Sequence, residues 1–342
     1  MIKKVIGVLV LVLIALGVYY RELVSYGIAQ GLGQLRIIRE ARPVETFMTD
    51  PTFPDSLKSK LRLIQKARQF AIDTLGLNNT KNYTTLYDQH GEELMWVVIA
   101  CEPFRLKEKR WSFPIVGSVP YKGFFDKAKA LEERENLERD DWDVSIRNPG
   151  GWSTLGWFTD PILSGMLRRS EGDLASLIIH EMVHATIYVK DSSDFNENLA
   201  SFIGDRGAEL FLARTFGDTS RQYKEYLYED SDYRKVAEHM LRATQKLDSL
   251  YNSFSDADPV KEKKNRKEQF IRKIVGAFDT VSFTDGKKRS NRFARRLPNN
   301  TYFMSFRTYE SKHDKMKEEW DLHFHNDLRL MINHYRKEYP FL

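Results

Sequence analysis

The sequence predicts an α+β chain: a small, mostly antiparallel sheet and one buried helix form an N-terminal lobe, and helices alone form the C-terminal lobe. Three observations predict it. β-Branched and aromatic runs are confined to the stretch from Tyr83 to Tyr121. After Asp160 almost every segment carries helical periodicity. Between them, Leu174, Leu177, Ile178, Ile179, Met182, Val183, Ile187 and Tyr188 place apolar residues nearly all round a helix, as in one buried in a core.

At 342 residues the chain is long enough for about two lobes, and 42% hydrophobic with 30% charged residues is globular composition. The net charge of +5 is modest and scattered, which argues against a dedicated nucleic-acid binder. The single cysteine, Cys101, excludes an intrachain disulfide framework and a cysteine-rich metal site, and in its apolar run it reads as core. Oligomeric state is not legible.

Taken in order, Lys3-Lys4 precede an uncharged run from Val5 to Tyr20, so residues 1–20 have the form of a secretory signal or signal-anchor. The run is short for a full span, but Tyr19 and Tyr20 suit the interface and the lysines can snorkel. Ala15-Leu16-Gly17 also offers a small-residue cleavage site, so two fates stand: a single-pass anchor in the cell membrane, or release into the periplasm. Both leave the remainder facing the extracytoplasmic side. Residues 21–50 are amphipathic, with Leu23, Ile28, Leu32, Leu35 and Ile38 among polar residues and glycines, and read as a juxtamembrane helical connection onto the body.

The N-terminal lobe, residues 51–190, opens with a helix from Asp55 to Leu75, in which Leu57, Leu61, Ile64, Ala67, Phe70 and Ala71 take core spacing. Tyr83–Tyr87, Leu94–Cys101 and Trp111–Tyr121 then read as a meander with a turn near His90-Gly91. Asn148-Pro149-Gly150-Gly151 marks a turn into Trp152–Phe158, and Asp160-Pro161 begins a helix with proline at the favoured first position. Asp173 can cap the buried helix. In the C-terminal lobe, residues 191–342, helices are expected over Asn196–Phe216, around 220–253 and 259–278, and from about Ser311 to Glu338. The basic cluster Lys287-Lys288-Arg289-Ser290-Asn291-Arg292, with Arg295-Arg296, reads as a solvated loop or a contact for an acidic partner or anionic lipid.

The buried helix carries His180-Glu181-Met182-Val183-His184. Histidines four apart project from one helix face, so both imidazoles can grip one metal while Glu181 addresses a water beside it. The plain alternative is a core helix whose polar residues are satisfied by hydrogen bonds. Catalytic zinc commonly takes three protein ligands, and two histidines with a glutamate is a standard set. Glu197 is the candidate third ligand. Ala200, Ser201, Gly204 and Ala208 share its stripe on the following helix, and small residues let two helices approach closely. Asp194-x-x-Glu197 also fits a capping box, in which Glu197 would only reach back to the helix start. His323-x-His325, two apart in the expected last helix, points to opposite sides and reads as a surface pair.

With these residues the chain resembles the bacterial putative-aminopeptidase family, zinc peptidases whose third ligand is a glutamate. The resemblance also runs through Val119-Pro120-Tyr121-Lys122-Gly123-Phe124-Phe125, Ser153-Thr154-Leu155-Gly156-Trp157-Phe158, Asp160-Pro161, and Leu297-Pro298-Asn299-Asn300 with Tyr309. It implies a zincin-like (gluzincin-like) fold, Zn²⁺ held by His180, His184 and Glu197, Glu181 as general base, and a peptide substrate. Tyr309 falls at the family's tyrosine after the Asn-Asn pair and is the candidate oxyanion donor; Tyr302, seven residues earlier, is the second, and for either a packed aromatic is the plain alternative. Trp152–Phe158 would offer an edge strand to the peptide, or be an ordinary connection. Ser201 stands where thermolysin-like enzymes carry an aspartate that orients a histidine, and the Gly-x-Met-Glu-Asn string that holds a substrate amine in well-studied zinc aminopeptidases is absent. The expected function is a membrane-tethered zinc aminopeptidase; the alternatives are a zinc endopeptidase or an inactive scaffold of peptidase fold.

Overall fold

Apolar residues at three- and four-residue spacing make this chain mostly helical, and among the described residues three short sheets fall in the N-terminal half. The computed structural model describes residues 18–113, 117–149, 159–190, 192–284, 286, 293 and 295–339. In chain order the elements are α1 (Arg21–Glu40), β1 (Arg42–Pro43), α2 (Val44–Thr49), α3 (Asp55–Phe70), β2 (Thr85–Tyr87), β3 (Trp96–Cys101), β4 (Trp111–Phe113), β5 (Gly117–Val119), β6 (Lys122–Phe124), α4 (Lys127–Arg139), β7 (Asp143–Arg147) and β8 (Ile162–Leu163). Then follow α5 (Glu171–His184), α6 (Ser193–Phe216), α7 (Arg221–Asn252), α8 (Val260–Gly276), α9 (Asn300–Glu310), α10 (His313–His323) and α11 (Leu328–Glu338). The mixed α+β class is as the sequence predicts.

Three expectations are corrected. The strands do not form one meander: β2 lies between β1 and β8, whereas β3 is the centre of the sheet β6-β3-β7. Leu86 pairs with Arg42 on one side and, in parallel, with Ile162 on the other. Long-range clasps enforce this split. The Tyr83 N–H donates to the Asp160 carbonyl at 2.7 Å, and the Asp160 N–H donates to Asn82 Oδ1 at 3.0 Å. Asp160 is thereby fully buried, so no helix begins there; Ile162–Leu163 is a strand and Ser164–Arg168 a 3₁₀ turn. The expected last helix is two, because His325 and Asn326 take the left-handed conformation (φ 51° and 60°) and Asp327 caps a new start. His323 and His325 therefore flank a turn.

Smaller shifts have local causes. Ser170, not Asp173, caps α5, its hydroxyl accepting from the Asp173 N–H at 3.1 Å. α3 ends in a π turn, Ala71–Leu75, closed by Gly76 at φ 80°.

Hydrophobic burial is divided among three clusters. The first joins α3, α5, α6 and α11 through Leu61, Ile64, Ile178, Ile179, Phe202, Phe211, Met331 and Ile332. A second packs α7, α8 and α9 through Met240, Leu247, Ile271 and Phe303, with Cys101 at its edge. The third lays α4 on β3 and β7 through Val98, Ala130, Leu137 and Val144. α1 meets the body mainly through Tyr26, Gln30, Gly33 and Ile37, while Ile28, Leu32, Leu35 and Ile38 stay exposed.

The contact that positions the site is α5 against α6. A Cβ on Gly204 would lie 3.0 Å from the Ser176 carbonyl and 3.1 Å from His180 Cβ, and one on Gly207 would lie 3.1 Å from Ile179. The helices touch because these side chains are missing. Gly204→Val should destabilise the fold by about 1–3 kcal/mol through overpacking, whereas Gly27→Val, with nothing within 4 Å, should be near neutral. Chemical denaturation of both variants checks this; equal midpoints would show that the close approach is not constrained.

Candidate metal centre

α5 presents His180 and His184 one turn apart, and the second turn of α6 brings Glu197 between them. The two Nε2 atoms lie 3.1 Å apart; Glu197 Oε2 is 3.5 Å from His180 Nε2 and Oε1 is 3.6 Å from His184 Nε2. A tetrahedral ion with ligands at about 2.1 Å holds them about 3.4 Å apart, so the three donors fit zinc. Among the described residues no other histidine, cysteine or carboxylate group converges in this way. Burial pushes Glu197 upward, but hydrogen bonds from His180 and His184 outweigh it and hold the carboxyl well below its usual range.

Glu197 does not close a capping box. Ser192 is the N-cap of α6 and makes no side-chain cap bond, while the Glu197 carboxylate turns to the histidines. Two neighbours hold it there. Asn196 exchanges both hydrogen bonds with the backbone of Val189, at 2.9 and 2.8 Å, pinning α6 to the chain leaving α5. Asn198 is buried, donates to the Thr308 carbonyl and accepts from the Lys312 N–H at 2.9 Å. Sequence reasoning missed both.

Opposite these three side chains stands α9. Asn299 caps it and donates to the Val144 carbonyl at 2.9 Å; Asn300 donates to the Glu102 carbonyl at 2.8 Å and accepts from the Tyr251 hydroxyl at 2.7 Å. This Asn pair registers α9 against the sheet, and Tyr309, near its end, lines a cavity of about 70 Å³ together with Glu197, Tyr121, Arg147, Glu108 and Ser305. Burial, then the Glu197 charge, raise Tyr309 well above its usual range, while Arg147 pulls the other way. Tyr302 sits two turns back, its ring 5.3 Å from those of Phe293 and Phe306, and does not line this cavity. Tyr121 is pushed up to about 12, chiefly by its crowded surroundings and then by Glu197, although nearly half its surface meets solvent. It is a side chain in a cleft. The expected edge strand Trp152–Phe158 and the basic cluster Lys287–Arg292 lie outside the described residues.

A family model described as Putative aminopeptidase matches residues 25–337. The chain belongs to this family. No curated protein and no solved structure matches it. Membership supports peptidase function in general terms.

In this family member the carboxylate near His180 is not at Ser201 but one turn on. Asp205 accepts from the Ser176 hydroxyl at 3.0 Å and is gripped by Arg234. Arg234 also reaches Glu310 at 2.7 Å and Asp230 at 3.3 Å, and Tyr233 donates to Glu310 at 2.9 Å. Asp205 sits on α6 about two turns after Glu197 and Glu310 follows Tyr309, so one guanidinium joins both halves of the site.

Burial raises Glu310 to about 7 against the pull of Arg234. Between its ordinary 4.5 and about 7 the folded chain keeps a proton that the unfolded chain releases, so this group lowers stability as pH rises through that window. Glu310→Gln should flatten that part of the profile. Denaturation of both proteins from pH 4 to 8 checks it, and parallel curves would refute it.

Proposed function

We propose that this chain is a membrane-tethered zinc aminopeptidase. The observation that carries the reading is the triangle of His180, His184 and Glu197 at tetrahedral spacing, with Glu181 on the same helix and Tyr309 across the cleft. Lys3-Lys4 before the uncharged run Val5–Tyr20 supports the tether; among the described residues no helix is long and apolar enough to cross a membrane, and residues 1–17 lie outside them.

Bound zinc would polarise the scissile carbonyl and acidify a water. Glu181 takes the proton of the attacking water and passes it to the departing amine. The Tyr309 hydroxyl, kept protonated by burial and the Glu197 charge, donates to the carbonyl oxygen as negative charge grows on it. Arg147, which lines the same cavity, adds positive charge on the same side.

The deciding experiment uses the full chain in detergent, with bound metal measured beside assays on aminoacyl and internally quenched peptide substrates. Near-stoichiometric zinc is expected in wild type and in Glu181→Gln, with turnover only in wild type. Absence of metal, or equal activity of the variant, sinks the reading.

Preference for an amino end rests on Glu108. It lines the same cavity, Arg110 binds its Oε1 at 2.7 Å, and among the described residues no hydrogen bond reaches its Oε2. A substrate ammonium group can pair with that oxygen. Glu108→Gln should raise KM for free aminoacyl substrates by about 10-fold, the order of one charge-assisted hydrogen bond, and leave N-acetylated peptides unaffected. Equal effects on both would move the reading to an endopeptidase.

A further inference from the structure

α1 packs with its amphipathicity reversed. Val24, Ile28, Leu32, Leu35 and Ile38 fall within about 120° of one another round the helix, and all are between 40% and 64% exposed. The opposite side faces the protein and, apart from buried Ile37 and half-buried Leu23, is polar or small: Tyr26 and Gln30 both donate to the Gly123 carbonyl, at 2.9 and 3.1 Å, and Gly33 lies against the Phe125 ring. A helix that needed only to attach itself to the body would turn the aliphatic stripe inward, where burying each such side chain contributes about 1.5–3 kcal/mol. Turned outward, five aliphatic side chains in one row call for a partner.

We propose that α1 lies in the plane of an anionic phospholipid bilayer, with this stripe in the headgroup and acyl boundary. The proposal rests on the membrane-tether reading and adds a surface to it. Continuity supplies the first argument, since α1 follows directly on the uncharged run Val5–Tyr20. The Tyr20 backbone departs from helical geometry at the start of α1 (φ −97°, ψ 25°). Charge supplies the second. Arg21 and Arg39 share the azimuth of the stripe, one at each end, and Arg36 lies about 40° beyond it; all three are exposed and pair with no carboxylate among the described residues, while Glu22 and Glu40 fall farther outside. Cations at the rim of an apolar face suit anionic headgroups. A second copy fits worse, because parallel or antiparallel pairing of two such stripes brings Arg21 to the Arg21 or Arg39 of the other. The third argument is the pair Tyr19 and Tyr20, both exposed at the N-terminal end of α1; aromatic rings with polar tips are side chains that settle at a membrane surface.

The test uses the full chain reconstituted in phosphatidylcholine and phosphatidylglycerol vesicles. An environment-sensitive fluorophore is attached at Leu32→Cys or, as control, at the exposed Lys246→Cys; buried Cys101 stays unlabelled. Brominated acyl chains should quench the label at position 32 at least about twofold, as expected for a face some 5–10 Å deep, and leave the control unchanged. Adding Ile28→Asp and Leu35→Asp should abolish quenching at position 32 while the chain still floats with the vesicles. A floating chain whose label at position 32 reports water overturns this proposal alone. So does a signal that follows protein concentration and ignores brominated lipid, which would assign the stripe to a second copy. A chain that does not float overturns the tether and this proposal together.

Discussion

Everything at the centre depends on how closely α5 and α6 approach. Glu197 belongs to a different helix from the two histidines, and its carboxylate comes within 3.6 Å of both only because Gly204 leaves room for Ser176 and His180 at van der Waals contact. A separation larger by the width of a methyl group would take the third donor out of range of an ion held by the other two. The packing that buries Ile178, Ile179, Phe202 and Phe211 is thus also what sets the geometry of these three side chains.

That pair of helices was legible in the sequence because its signals are local. Two histidines at helical spacing, an apolar surround and a stripe of small residues can each be counted along the chain. The sheets were not legible for the opposite reason. Leu86 is satisfied by Arg42 and Ile162, and Val98 by Lys122 and Ile146. Such partners are chosen by tertiary closure, and strand propensity says nothing about which will meet. The break between α10 and α11 was hidden too, since His325 and Asn326 enter the left-handed region without a glycine to announce it.

The site itself divides along the same line. Local pattern left Glu197 open between capping and ligation; what turns it is Asn196 on Val189 and Asn198 on Thr308, contacts that no spacing rule marks. The Asn299-Asn300 pair was visible only as part of a resemblance, and its physical role is to register α9 on β7 and on the backbone at Glu102. Asp205, Asp230, Arg234 and Glu310 lie up to 105 residues apart in sequence, and carry no periodicity that would unite them.

Why a buried ionic cluster should join the two halves follows from what each kind of contact can specify. Apolar packing is favourable but non-directional, so α9 could slide against α7 at little cost in buried area. Arg234 cannot slide: its three arms meet Asp205, Asp230 and Glu310 at once, and any shift leaves a buried carboxylate without its cation. Breaking such a pair typically costs about 3–5 kcal/mol, more than a single aliphatic contact. The cluster therefore contributes less to net stability than to register, and the register it fixes is the separation between Tyr309, one residue before Glu310, and the histidines above Asp205.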